Sequence, residues 1–230
     1  MPTSGTTTFN LDLSEIVEEA FERCGAELRT GYDLRTARRS LNLLFADWAN
    51  RGVNLWAIDS GTIPLVAGTA TYNLPQDTVD LLEHVIRTGA GNVATQVDLT
   101  LTRISVSTYA SIPNKLQSAR PIQIYINRQS PTPTVTVWPV PDSSTPYTLV
   151  YWRLRRIQDA GDGSNTMDVP FRFITCMVAG LAYYLALKIP DAMARLQVLK
   201  QQYDEAWMLA SEEDRDRAAV RFVPRQQFIA

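Results

Sequence analysis

Histidine is the side chain best suited to acid–base chemistry near neutral pH, and it occurs once in this sequence. His84 lies between Glu83 and Val85, within an apolar run that predicts a β-strand. A single histidine excludes a metal site built from several histidines, and any Ser-His-Asp triad would depend wholly on it. A lone histidine in a strand is more often structural than catalytic, and we predict a structural role.

Two groups of acidic side chains also suggest chemistry. The first group could supply the carboxylate pair of a glycosidase, whose acid needs a pocket that raises its pKa; it consists of Glu18, Glu19 and Glu22. The second resembles a calcium loop in composition but lacks EF-hand spacing and a closing glutamate; it consists of Asp159, Asp162, Asn165 and Asp168. We predict a solvated helix face, a polar loop and no bound metal.

A cluster of arginines ends a predicted strand beside two aromatic residues. Arg153, Arg155 and Arg156 could bind phosphate or nucleic acid, or could pair with acids of a neighbouring subunit. The net charge of −2 gives no electrostatic reason to expect bulk nucleic-acid or membrane binding. A protein contact is therefore the favoured interpretation.

The sequences before and after the middle of the chain have helical periodicity, which predicts helices that would position these residues. Apolar residues spaced by three and four predict helices over residues 13–28, 33–50, 170–189 and 191–210. Asp12 is the predicted N-cap of the first helix, with Glu15 completing a capping box. The first two helices share a short link and should pack as an antiparallel hairpin. The simplest packing joins both pairs in one four-helix bundle.

The middle of the chain alternates with a period of two. This pattern predicts strands at residues 56–64, 71–74, 82–87, 99–103, 122–127, 134–138 and 150–155. A turn at Ala67-Gly68-Thr69 should return the first strand to the second, and Ser105 should cap a short helix over residues 105–112. Short antiparallel strands with proline-rich links are typical of a small sandwich or barrel.

The predicted fold class is therefore α+β. A four-helix bundle formed by the N- and C-terminal helix pairs carries an inserted antiparallel β-sandwich or barrel-like domain and ends in an extended C-terminal tail. The predicted boundaries are 1–55 for the first helix pair, 56–157 for the β domain, 158–211 for the second helix pair and 212–230 for the tail.

Cysteine and hydropathy patterns indicate a chain that folds in a reducing cytoplasm. Cys24 and Cys176 lie on apolar helix faces, so we predict core residues and no disulfide. No secretory signal opens the sequence. The longest apolar run, residues 173–187, is shorter than the roughly 20 residues of a membrane span. We therefore expect no membrane association.

Several segments, in the strand region and at the helical ends, resemble those of one known protein family. The likeness is strongest in the strand region, at RPIQIY (120–125), VTVWPVP (135–141) and YTLVYW (147–152). The helical ends agree, at IVEEAF (16–21), LRTARRSLN (34–42) and AYYLA (182–186). In order and spacing, residues 10–215 resemble the head-to-tail adaptor proteins of tailed phages, the connector or tail-tubular-protein-A-like family of short-tailed phages.

The resemblance implies a structural virion protein, made in the bacterial host cytoplasm, with no enzymatic activity and no cofactor. Such adaptors form a homo-oligomeric ring, commonly of twelve subunits, below the portal protein. The ring extends the channel through which DNA passes as cargo, and it docks a tail nozzle or tail fibre protein. The helical part packs side by side around the ring, and the C-terminal tail reaches the portal.

The residues expected at the portal or subunit interface carry aromatic anchors and arginines, which can order on binding. They are Arg221, Phe222, Arg225 and Phe228 in the tail, together with Arg153, Arg155 and Arg156. Two other functions stay open on the residues alone. One is a virion-associated peptidoglycan hydrolase that uses the acidic groups, and the other is a β module that binds a glycan or a tail spike.

Overall fold

The computed structural model describes residues 5, 7, 11–29, 31–52, 55–162 and 165–214. Backbone contacts divide the chain into two compact units. The helical unit comprises Met1–Leu55 and Asp159–Ala230, and the β unit comprises Trp56–Gln158. The four long helices and the two sheets make the fold α+β.

The helices are α1 (Leu13–Cys24), α2 (Gly31–Arg51), α3 (Val106–Ser111), α4 (Ile174–Ala186) and α5 (Leu196–Glu213). Short 3-10 helices cover Leu55–Ala57, Phe171–Phe173 and Pro190–Arg195. The long helices α1, α2, α4 and α5 belong to the helical unit, and α3 belongs to the β unit.

The ends of α1 follow from local chemistry. The predicted capping box is confirmed, because the Asp12 carboxylate accepts the Glu15 N–H at 2.9 Å and the Glu15 carboxylate accepts the Asp12 N–H at 3.0 Å. The helix ends at Cys24, four residues earlier than predicted. Gly25 adopts a left-handed φ of 76° and its N–H bonds to the carbonyl of Glu22, which closes the last turn.

α4 is the central helix of its unit, because it packs against α1, α2 and α5 and is buried on most of its surface. Gly180 lets the neighbours come close: a Cβ there would lie 2.9 Å from the side chains of Leu44 in α2 and Tyr203 in α5. The predicted core cysteines are confirmed as buried and free. Burial raises the pKa of Cys24 to about 11 and that of Cys176 to about 12, so both remain thiols.

An aromatic cluster joins the two halves of the helical unit. Trp48 of α2 is fully buried, and its indole N–H donates to the Tyr203 hydroxyl at 3.0 Å. Its ring centroid lies 5.5 Å from those of Phe173 and Trp207. The Arg51 guanidinium lies over the Trp207 ring, 4.7 Å from its centroid. Residues far apart in sequence thus form one core.

The β unit contains eight strands in two four-stranded sheets. The strands are β1 (Ile58–Leu65), β2 (Thr71–Asn73), β3 (Thr78–Thr88), β4 (Val97–Thr100), β5 (Thr102–Ile104), β6 (Gln123–Asn127), β7 (Thr134–Trp138) and β8 (Tyr147–Arg155). One sheet has the order β1-β8-β3-β4 and the other the order β2-β7-β6-β5. Neither sheet closes into a barrel within the described residues, so the barrel alternative is wrong.

Buried side chains from both sheets form one hydrophobic cluster. It includes Leu81, Ile86 and Leu149 from the first sheet with Ile124 and Val137 from the second. The two sheets therefore share a core within the β unit, as expected for layered sheets.

Three strand predictions are wrong. β1 and β2 are not a hairpin, because β1 pairs with β8 and β2 pairs with β7. The predicted strand 99–103 is two strands, because the chain crosses between the sheets at buried Leu101. The sheets are not wholly antiparallel, since β5 pairs with β6 in parallel. The predicted capping of α3 by Ser105 is confirmed.

The Trp48–Tyr203 hydrogen bond yields a prediction. Tyr203→Phe should lower the free energy of unfolding of the helical unit by about 1–3 kcal/mol, because it leaves the buried Trp48 N–H without an acceptor. Urea denaturation followed by circular dichroism at 222 nm measures this. The matched control is Tyr32→Phe at an exposed hydroxyl, and equal effects of the two substitutions would contradict the prediction.

Candidate assembly surfaces

The exposed side of α2 is basic. α2 buries Ala37, Leu41, Leu44 and Trp48, so the residues between them point to solvent. We call the outward set the basic face; it consists of Tyr32, Arg35, Arg38, Arg39 and Leu43. Tyr32 is 65% exposed and Leu43 is 56% exposed. These residues line a groove of about 650 Å³.

The positive charge of the basic face is not neutralised locally. Within the described residues, no carboxylate forms an ion pair with Arg35, Arg38 or Arg39, and Arg38 donates instead to the Gly161 carbonyl at 3.0 Å. Lys188 adds a fourth cation beside this face. Lys188 and Arg39 line a smaller groove together, and burial and the charge of Arg39 lower the pKa of Lys188.

The exposed side of α5 is acidic and apolar. α5 buries Leu199, Tyr203 and Ala210. We call the outward set the acidic face; it consists of Val198, Glu205, Met208, Leu209 and Glu212. It adjoins a groove of about 700 Å³ whose walls come from α1, the start of α4 and α5.

Ion pairs neutralise the cations in this α5 groove. Arg23 lines the groove and pairs with Glu19 at 2.8 Å, and Arg172 donates to Asp214. The Asp214 side chain is fully buried and also accepts the Leu55 N–H at 3.2 Å. Asp214 thereby links the end of α5 to the point where the chain leaves the helical unit. The carboxylate of Glu205 keeps the groove acidic.

Two of the three arginines predicted as an interface cluster lie in ion pairs within the β unit. Arg153 is only 12% exposed and binds Asp77 at 2.5 Å and Asp59 at 3.3 Å. Arg155 also contacts Asp59, at 3.5 Å. The hydrogen bond from Arg153 lowers the pKa of Asp77. Arg156 is exposed. The three arginines therefore lie close together, as predicted from their sequence positions. Arg153 and Arg155 of β8 bind Asp59 at the start of β1, and Arg153 also binds Asp77 in the turn before β3.

His84 lies in β3 opposite Tyr151 and is buried. Neither ring nitrogen has a hydrogen-bond partner of good geometry in the described part of the chain. Burial lowers the pKa of His84, while nearby Glu83 and Arg103 act in opposite directions. Within the described residues, no nucleophile or carboxylate is hydrogen-bonded to this imidazole, so the structure shows no catalytic arrangement around it.

The acidic groups predicted as solvated are not assembled into a site. Glu19 pairs with Arg23 along α1, and Glu18 and Glu22 are exposed. In the polar loop, the Asn165 side chain accepts the Asp162 N–H at 3.0 Å. Among the described residues, no cluster of three or more histidine, cysteine or acidic side chains could hold a metal ion.

The predicted tail contacts Arg221, Phe222, Arg225 and Phe228 lie outside the described residues. Sequence reasoning missed both grooves of the helical unit. The signal was present in α2, where Arg35, Arg39 and Leu43 recur every four residues opposite the buried stripe. No helix within the described ranges combines the length and the apolar character that crossing a membrane requires.

Exposed apolar and charged faces on a helical unit, without assembled catalytic groups in the described residues, are characteristic of assembly proteins. The sequence matches the family described as SU10 adaptor protein over residues 11–225. The chain therefore belongs to this family of phage head-to-tail adaptors. Membership implies a structural role in the virion, and the family is typically non-enzymatic. None of the curated proteins compared with the sequence matches it.

The β unit should lose stability on mild acidification. Because the pKa of His84 lies below its ordinary 6.5, the unfolded chain binds the proton more readily than the folded one. Stability is therefore complete above about pH 6.5 and falls as the pH drops toward the folded pKa. Hydrogen exchange of β3 and β8 amides, corrected for intrinsic rates, should show weaker protection at pH 5.5 than at pH 7.5.

His84→Leu is the matched control, because it removes the titrating group and keeps an apolar side chain in the core. It should flatten the pH dependence between these two values. Asp77, whose pKa lies below its ordinary 3.8, contributes only at lower pH. The same slope in both proteins would contradict the assignment to His84.

The ion pairs of Arg153 predict a stability difference between neighbouring arginines. Arg153→Gln should destabilise the β unit by about 1–3 kcal/mol, because the largely buried guanidinium loses its charged hydrogen bonds to Asp77 and its hydrogen bond to Thr78. Arg156→Gln, at an exposed position, should change stability by less than about 0.5 kcal/mol. Urea denaturation of both variants tests this, and equal losses would contradict it.

Proposed function

We propose that this chain is the ring-forming head-to-tail adaptor of a tailed phage. Copies assemble below the portal protein, commonly twelve in number, and extend the DNA channel. The lower side of the ring docks a tail nozzle or tail fibre protein. The observation that carries this proposal is the family match over residues 11–225, which includes residues of both units.

The surfaces of the two units support a protein whose partners are other proteins. On the helical unit, exposed apolar residues lie beside charged ones on both α2 and α5. On the β unit, Val93, Val106 and Leu116 are exposed. Combined apolar and charged surfaces are typical of specific protein interfaces. We propose that the two units act as separate modules, with the helical unit packing side by side around the ring.

The C-terminal tail is the proposed portal contact. Residues 215–230 follow directly from α5, and buried Asp214 fixes the position from which they start. Phe222 and Phe228 supply aromatic anchors, and Arg221 and Arg225 supply guanidinium groups. Arg156, exposed at the end of β8, is a further candidate for a portal or subunit contact.

Mixing the purified chain with the portal protein of the same phage tests the proposal. Electron micrographs should show an added ring on one side of the portal, and mass photometry should show mass added in multiples of 25.8 kDa. A portal that gains no mass at any concentration of the chain would refute the ring-adaptor function.

The contribution of the tail is separable from folding. The double variant Phe222→Ala/Phe228→Ala should weaken portal binding by at least about tenfold, since aromatic anchors carry a large share of interface energy. Its melting temperature should stay that of the natural protein. Phe171→Ala, at an exposed position of the helical unit, is the matched control and should bind the portal normally.

A further inference from the structure

We infer that the basic face of α2 binds the acidic face of α5 on a second copy of this chain. This inference rests on the proposed ring, and it identifies the two surfaces through which neighbouring subunits make contact. Both faces lie in the helical unit and are exposed there. The residues of the basic face line one groove, and Glu205 and Leu209 of the acidic face line the other; both grooves are large enough to receive side chains of a partner.

Charge complementarity is the first argument. Arg35 and Arg39 are exposed, one turn apart, and have no ion-pair partner in the described residues. Glu205 and Glu212 are exposed on one side of α5, and neither forms an ion pair within the described ranges. Each face therefore lacks the charge that the other provides, and their contact would be attractive both during encounter and once formed.

The order of side chains along the two helices is the second argument. On α2, the arginines lie between exposed Tyr32 and exposed Leu43. On α5, Glu205 lies between exposed Val198 and exposed Leu209. Each pair of apolar ends is separated by the same number of residues and spans roughly 16 Å of helix. Glu205 can therefore face an arginine of α2 while the apolar ends meet, and Glu212, three residues beyond Leu209, adds negative charge at one end of the contact.

These faces favour a head-to-tail contact. A symmetric contact through α2 would place arginine against arginine, and one through α5 would place glutamate against glutamate. Two different complementary faces on one chain instead give a heterologous interface, which generates a ring when its rotation closes. A ring adaptor needs this kind of contact.

The composition of the basic face favours a protein partner over DNA. The arginines of the basic face could contact DNA phosphates, which bind cations. The net charge of −2 for the whole chain, however, opposes nonspecific binding to DNA. Tyr32 and Leu43 place apolar surface at both ends of the arginines, and Leu43 has no role in holding phosphate. Burying them requires an apolar counterpart, which the acidic face contains.

Charge reversal tests the inference. One variant carries Arg35→Glu and Arg39→Glu, and the other carries Glu205→Arg and Glu212→Arg. Each variant alone should need at least about tenfold more protein than the natural chain to fill the ring on the portal, as measured by mass photometry, since like charges would then meet. A chain carrying all four substitutions should fill the ring at close to the natural concentration.

A mixture gives a sharper readout. In an equimolar mixture of the two variants, favourable contacts form only between unlike subunits, so rings should form with the two variants alternating. Arg120→Glu, at an exposed position of the β unit without an ion pair in the described residues, is the matched control and should assemble normally. Circular dichroism and melting temperature verify that each variant folds.

The outcomes separate the inference from the proposed function. A natural chain that does not assemble on the portal refutes the ring itself. A natural chain that assembles, with reversed variants that assemble equally well, refutes only the α2–α5 contact. A photo-crosslinking residue in place of Leu43 should label residues 198–213 of a second copy, and labelling of portal or DNA instead also overturns the inference.

Discussion

The hydrogen bond between Trp48 and Tyr203, inside a cluster of aromatic rings, is the interaction on which the helical unit depends. Trp48 belongs to the helix pair before the β unit, and Tyr203 belongs to the helices after it. A buried indole N–H must find an acceptor, and here that acceptor comes from 155 residues away. The bond and the rings around it thus require the helices before and after the β unit to fold together. Gly180 allows Leu44 of α2 and Tyr203 of α5 to pack closely against α4.

The outer surfaces follow from this arrangement. Because α4 occupies the centre, α1, α2 and α5 supply the exposed faces of the unit. Each of these helices uses one stripe for the core and leaves the opposite stripe for contacts. The exposed stripes differ in charge, with arginines on α2 and carboxylates on α5. The helical period that places apolar residues in the core therefore also places positive charge on one exposed face of the helical unit and negative charge on another.

Much of the helical unit could be predicted from sequence, because a helix carries its period and its caps in neighbouring residues. Asp12 and Glu15 set the start of α1 as predicted, whereas the left-handed Gly25 ends the helix four residues before the predicted end. Strands were predicted in nearly the right places, but their partners were not, because a period of two shows which residues share a face and not which strand lies alongside. The chain crosses between the sheets at Leu101, a residue that fits the alternation as well as its neighbours do.

The same limit applies to the surface. From the residues of β8 alone, Arg153 would be predicted to be an exposed cation. Its ion-pair partner Asp77 lies 76 residues away in sequence, and the pair connects two parts of the β unit. Conversely, Arg35 and Arg39 look like an ordinary solvated helix face, and only the folded unit shows that no carboxylate among the described residues forms an ion pair with them. The sequence displays the charges of this protein, and the fold decides which of them remain available to a partner.

The pairing of the first and last strands of the β unit affects how the chain folds. The ribosome completes residues 56–158 before it makes α4 and α5. The helices α1 and α2 therefore cannot pack against α4 and α5 until the β unit has been synthesised. Closing a flexible loop of roughly 100 residues would cost about 4 kcal/mol in entropy. β1 and β8 lie side by side in the β unit, with Ile58 opposite Leu154, so a folded β unit holds the two ends of the insertion together. The β unit that interrupts the helical unit in sequence thus also lowers the entropic cost of bringing the two helix pairs together, and it is synthesised before the second pair.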